Sequence, residues 1–134
     1  MQQALGTRVI TRQDWGPDLA IVCGTGSCTP VIWPGVGARH RSMHLLVLGP
    51  ASRTIRLRHP SEAAYYVVEG EARVEDLDEG TTQALVPGSM FHVGAGTGYV
   101  IVAVGDGATI LGGPCPPDPA LYAPRPADAA PAAP

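Results

Sequence analysis

At 134 residues, with 45% apolar and 16% charged residues, the chain has the composition of one globular domain rather than of a disordered segment. A net charge of −3 lacks the clustered cations that a phosphate backbone demands, so no nucleic-acid partner is expected. Lys is absent, which removes Schiff-base chemistry and the phosphate-loop motif, and Asn is absent, which removes N-glycosylation and a Cys-His-Asn triad.

The same bias, with abundant Ala, Gly, Pro and Arg, points to a GC-rich bacterial source. No apolar run fits a signal peptide or a membrane span, so a cytoplasmic location and no membrane partner are expected. The three cysteines, Cys23, Cys28 and Cys115, are then expected as free thiols, too few for an all-cysteine zinc site.

The 17 Gly and 14 Pro argue against long helices and for short strands joined by tight turns. In chain order, apolar runs predict strands near Arg8–Thr11, Leu19–Cys23, Pro30–Trp33, Met43–Leu48, Thr54–His59, Ala63–Val68, Ala72–Asp76, Thr82–Val86, Met90–Val93, Tyr99–Val104 and Ala108–Leu111. Between them stand turn signals such as Gly49-Pro50, Glu69-Gly70-Glu71, Pro87-Gly88 and Gly105-Asp106-Gly107. Eight prolines lie between Pro114 and Pro134, and Leu121 and Tyr122 are the last residues expected to pack. The expected organisation is one barrel domain over residues 1–122, with its core over 43–111. A Pro/Ala-rich tail over 123–134 is expected to be too poor in large apolar side chains to order.

The run His59-Pro60-Ser61-Glu62-Ala63-Ala64-Tyr65-Tyr66-Val67-Val68-Glu69-Gly70 resembles the first motif of the cupin family. The run from Pro87-Gly88-Ser89 through His92 to Tyr99 is similar to its second. The resemblance implies an all-β fold, a cupin-type jelly-roll barrel, which usually holds a divalent metal on three histidines and a glutamate. Counting back from Gly70, the four ligand slots fall on Leu57, His59, Ala63 and Tyr99, so only His59 keeps its family identity. Glu62 lies one position early, and strand alternation turns it outward unless a bulge redirects it.

The expected interior set is therefore Leu57, His59, Ala63, Tyr65, Val67 and Tyr99, with His44 as a further candidate in an apolar strand. Ala63 in the glutamate slot opens space, and Leu57 makes the wall apolar. This is the lining of a pocket for a hydrophobic small molecule, ring-containing or polyketide-like. No metal cofactor is expected, although His44, His59 and His92 form a fallback ligand set because the facing of His44 and His92 is open. His44 and His92 are as readily core histidines, and His40 is expected in a solvated loop.

Three functions follow. The first is a metal-independent acid/base enzyme, an isomerase, dehydratase or cyclase acting beside a carbonyl, with His59, Tyr99 and His92 as catalytic residues. An imidazole titrating near about pH 6.5 accepts a proton at neutral pH, and a buried phenol stays protonated as a donor. Small stand-alone cupins of bacterial natural-product pathways often perform such chemistry, which is what the resemblance implies. The second is a metal-dependent oxygenase or cyclase on the rearranged ligand set. The third is a non-catalytic small-molecule binder. The resemblance also implies a homodimer, paired through an outer sheet or an N-terminal strand.

Overall fold

The computed structural model describes residues 6–123. Eight strands carry the fold: β1 (Val22–Cys23), β2 (Gly26–Ile32), β3 (Met43–Leu48), β4 (Arg53–Thr54), β5 (Glu62–Asp76), β6 (Thr81–Leu85), β7 (Met90–Val93) and β8 (Tyr99–Cys115). Three single 3-10 turns, at Arg12–Asp14, Pro34–Val36 and Pro119–Leu121, are the helical elements among the described residues.

β5 and β8 form an antiparallel spine that both halves of the barrel share. In one half, β8 from Tyr99 to Val104 lies between β4 and the second part of β5, with β1 and β6 outside them. In the other half, β8 from Ala108 to Cys115 lies between β3 and the first part of β5, with β2 and β7 outside. The spine bends where the register slips, between Val67 and Glu69 and between Gly70 and Glu71. Glycine is required there. Gly70 has φ +80°, and a Cβ on it would meet the Gly107 carbonyl oxygen at 2.1 Å.

The sequence breaks these two strands in two, because Gly70 and Gly105 to Gly107 look like turns. In the structure they are bends within continuous ladders. Three other expected strands are cut back, and of Leu19–Cys23 only Val22–Cys23 forms a strand. Residues 8–11 pair with no strand and instead lead into the first 3-10 turn, where the Asp14 carboxylate accepts from the Thr11 N–H. The Thr54–His59 stretch keeps Arg53–Thr54 and an isolated bridge, Leu57 to Tyr99.

Alternation along the ladders builds the core. Ala63, Tyr65 and Val67 of β5 point inward, as do Leu46 and Leu48 of β3 and Tyr99, Ile101 and Ile110 of β8. Thr54 ties β4 to β8: its hydroxyl donates to the Ile55 carbonyl and accepts the Ile101 N–H. Beyond β8 the chain crosses the barrel end, and Asp118 and Leu121 are buried there. Apart from Ala123, the Pro/Ala-rich tail expected at 123–134 lies outside the described residues.

Candidate functional site

The register that Gly70 anchors brings Leu57, His59, Ala63 and Tyr99 to one end of the interior, each no more than 4% exposed. Leu57 and Tyr99 face one another across the bridge, with each residue's N–H donating to the other's carbonyl. His59 Nε2 lies 2.8 Å from the Tyr99 hydroxyl, and the Tyr65 hydroxyl lies 2.6 Å from that of Tyr99. On the other side of the ring, His59 Nδ1 lies 2.8 Å from Asp118 Oδ2. The second carboxylate oxygen of Asp118 accepts the Ala120 N–H and so fixes the last 3-10 turn.

Donor counting gives this chain a direction. In the tautomer that carries the ring proton on Nδ1, facing the Asp118 carboxyl, Nε2 is an acceptor for the Tyr99 hydroxyl. The Tyr99 oxygen is then free to accept from Tyr65. The result is Tyr65–Tyr99–His59–Asp118, four buried side chains joined end to end. Burial pushes both phenols up, Tyr65 well above its ordinary value, so they remain donors at neutral pH.

His44 also faces inward, and the Tyr122 hydroxyl lies 2.7 Å from its Nε2. Burial, reinforced by the nearby His59, lowers the His44 pKa to about 4, so the ring is neutral near pH 7. Burial likewise raises Tyr122 to about 12. The Tyr122 ring meets His44 edge-on, with centroids 5.7 Å apart, and tilts against Trp33 at 5.3 Å. Cys28 lines the same cavity with a thiol pushed up to about 12 by burial, which makes it a small apolar wall and not a nucleophile.

Two expectations need correction. His92 is not an interior residue. It stands on the outer face of β7, largely exposed, and pairs with Glu62 at 2.8 Å. Phe91 and Val93 take the inward positions of that short strand, so His92 does not reach the cavity that His44 and His59 line. The pocket is also smaller than expected. The cavity bounded by His44, Leu57, His59, Tyr65 and Leu121 measures about 10 Å³, room for a single water. Ala63 is buried in the same apolar cluster as Tyr65, Tyr99 and Leu121 and does not line that cavity. On the far side of Tyr99 a cleft of about 100 Å³ is lined by Tyr99 itself with His92, Phe91, Val74, Asp76 and Thr97, which brings Tyr99 and His92 to one surface.

The sequence reading missed Asp118 and the pairing of Tyr122 with His44. Both residues lie in the Pro-rich stretch after β8, where prolines mask the packing signal. The available clue was Asp118 immediately before Pro119, an N-cap followed by Pro at the first helical position, with Leu121 and Tyr122 just beyond.

A divalent metal does not fit the four family slots. Leu57 and Ala63 offer no lone pair, and the nitrogen of His59 that faces inward is used by Tyr99. Among the described residues no group of three His, Cys, Asp or Glu side chains converges elsewhere.

Residues 44–111 match the family model described as a cupin domain. Solved structures share the fold at low identity. KdgF from Halomonas sp. is 17% identical with a TM-score of 0.64, over 92% of this chain and 98% of that one. A predicted oxalate decarboxylase from Thermotoga maritima is 17% identical with a TM-score of 0.65, over 79% and 96%. A cupin-like protein from the same organism is 16% identical with a TM-score of 0.64, over 70% and 71%. No curated protein is similar enough in sequence to match. No helix among the described residues is long and apolar enough to cross a membrane.

Proposed function

The chain belongs to the cupin family, and within that barrel we propose a metal-independent acid/base enzyme, an isomerase, dehydratase or cyclase acting on a neutral, hydrophobic, carbonyl-containing small molecule. The observation that carries this reading is the buried chain Tyr65–Tyr99–His59–Asp118, whose two central members stand at slots where the family places its metal ligands.

In the resting state the Tyr99 hydroxyl occupies the His59 lone pair. A substrate carbonyl oxygen beside Tyr99 and Tyr65 offers that hydroxyl a second acceptor. When the hydroxyl turns to the carbonyl, Nε2 is freed to take a proton from the adjacent carbon. The electron pair moves into the carbonyl, and the two phenols stabilise the resulting enolate oxygen. Asp118 stabilises the imidazolium and holds the ring in place. Return of the proton to a different carbon completes an isomerisation, and expulsion of a β-leaving group completes a dehydration. His44, kept neutral, adds a polar wall and no charge.

The test needs no named substrate. Neutral ketones and enones are incubated in deuterated buffer with a chelator, and deuteration beside the carbonyl is followed by NMR. His59→Gln is expected to lower the exchange rate by about 10²–10⁴-fold, the usual contribution of a general base. Tyr99→Phe and Asp118→Asn should cost a comparable or smaller factor. Exchange that persists within a few-fold in His59→Gln overturns the assignment. The small closed cavity favours a second reading, a ligand-binding barrel without turnover. Ligand binding with no exchange for any carbonyl compound selects that reading.

We also propose a homodimer through the outer face of the β2–β3–β8–β5–β7 layer. Leu45, Leu111, Tyr66 and Met90 lie in one row across four paired strands, and Tyr66 and Met90 are exposed. Met43, Val47 and Val68 extend the apolar surface around the row.

A further inference from the structure

The segment after β8 fills the end of the barrel without joining its ladders. The backbone hydrogen bonds of Leu121 and Tyr122 close the segment's own turn, running to Asp118 and Pro119. The segment is tied to the barrel through side chains: Asp118 to His59, Tyr122 to His44, and the Ser61 hydroxyl donating to the Pro116 carbonyl. Leu121 is itself a wall of the cavity that His44, Leu57, His59 and Tyr65 line. With Leu121 in place the space left is about 10 Å³, too small for any ring.

The contacts of Tyr122 are those of a bound phenol. Its ring rests against Trp33 and the edge of His44, and its hydroxyl bonds to a ring nitrogen. No Arg lines the cavity, and the one ionised group reaching its wall is the Asp118 carboxylate on His59. An anionic ligand would meet a like charge and no counter-charge.

We propose that Tyr122 and Leu121 are intramolecular occupants of a ligand site, that the site takes a neutral molecule carrying a phenol or enol ring, and that such a ligand displaces Leu121 and Tyr122 while Asp118 stays bonded to His59. This names the substrate class for the acid/base reading above and rests on the barrel interior being the working site. Displacement is local: the Tyr122–His44 bond and the backbone bonds that close the last turn break, while the Asp118–His59 bond and the β8 ladder stay intact. The hydroxyl of the ligand takes the place of the Tyr122 hydroxyl on His44, and its ring takes the face of Trp33.

The probe is p-cresol, the Tyr122 side chain as a free molecule, with benzoate as the anionic control. Both are titrated into the full chain with Tyr122 intact and into Tyr122→Ala, each in a Trp15→Phe background so that Trp33 reports by fluorescence. Removing the tethered competitor is expected to tighten p-cresol binding by at least about tenfold. Benzoate should bind neither protein, and adding His44→Phe to Tyr122→Ala should abolish the gain. Hydrogen exchange on the chain with Tyr122 intact is the second measurement. Saturating p-cresol should speed exchange at Leu121 and Tyr122 and leave β8 unchanged, which decides the matter should Tyr122→Ala not fold. Equal p-cresol affinity in both proteins, equal binding of benzoate, or segment exchange unmoved by p-cresol each overturns the proposal. None of these readouts needs turnover. Failed displacement with carbonyl deuteration intact sinks this inference alone, and displacement without deuteration sinks the catalytic reading alone.

Discussion

Tyr99→Phe removes one oxygen atom that serves two buried partners. The hydroxyl lies 2.8 Å from His59 Nε2 and 2.6 Å from the Tyr65 hydroxyl, and in the tautomer with the proton on Nδ1 it donates to the first and accepts from the second. Its loss leaves an acceptor nitrogen and a donor hydroxyl unsatisfied in a site with no room for more than one water. A buried group left without a partner costs about 1–3 kcal/mol, so the two together predict a destabilisation of about 2–6 kcal/mol. Tyr65→Phe is the internal control. It removes the donor at the end of the chain, leaves Tyr99 still bonded to His59, and strands only one lone pair, for a cost of about 1 kcal/mol. Urea denaturation of both variants at neutral pH gives the comparison, with the slope checked for constancy so that a shifted midpoint reports stability. The reasoning fails if Tyr99→Phe costs no more than Tyr65→Phe. It also fails if the double variant costs the sum of the two, since shared bonds require the effects to be non-additive.

Acid should weaken the fold through His44. Its pKa falls from 6.5 to about 4 on burial, so the unfolded chain binds more protons between those values. The contribution is fully present above about pH 6.5 and is lost as pH falls toward 4. It amounts to about 3 kcal/mol at most, and His44→Gln should flatten this part of a denaturation-midpoint profile. A profile equally steep in His44→Gln would place the titrating group elsewhere. The proposed dimer should sediment at twice 13.9 kDa at micromolar concentration, and Met90→Glu together with Tyr66→Glu should halve it. An unaltered dimer in that double variant would move the interface to another face.

The parts of this site that were legible in the sequence are those set by strand register. Once Gly70 fixes the frame of β5, alternation turns Ala63, Tyr65 and Val67 inward and Glu62 outward, and the same frame carries His59 and Tyr99 to the ligand slots. β7 resisted this treatment. It is four residues long, with Met90 and His92 on one face and Phe91 and Val93 on the other, and both faces look apolar enough to bury. The outcome is decided by pairing with β5, where Phe91 stacks on Tyr65 at 4.9 Å. Local glycine chemistry misled at Gly70 and Gly105 to Gly107, because a bend inside a ladder and a turn between strands ask for the same positive φ. Asp118 is a tertiary fact. Nothing in its neighbourhood shows that the chain crosses the barrel end and delivers a carboxylate to a histidine 59 residues earlier.

The central claim is that His59 sits in a proton-relay chain and not in a metal-ligand set, and the nitrogen resonances of its ring test this most directly. A long-range proton–nitrogen spectrum of the labelled chain at neutral pH should show His59 protonated at Nδ1, bonded to Asp118, and unprotonated at Nε2. Adding one equivalent of zinc or ferrous iron should leave both signals in place, and Asp118→Asn should shift Nδ1 strongly. A His59 protonated at Nε2, or an Nε2 signal displaced or broadened by one equivalent of metal, would contradict the account.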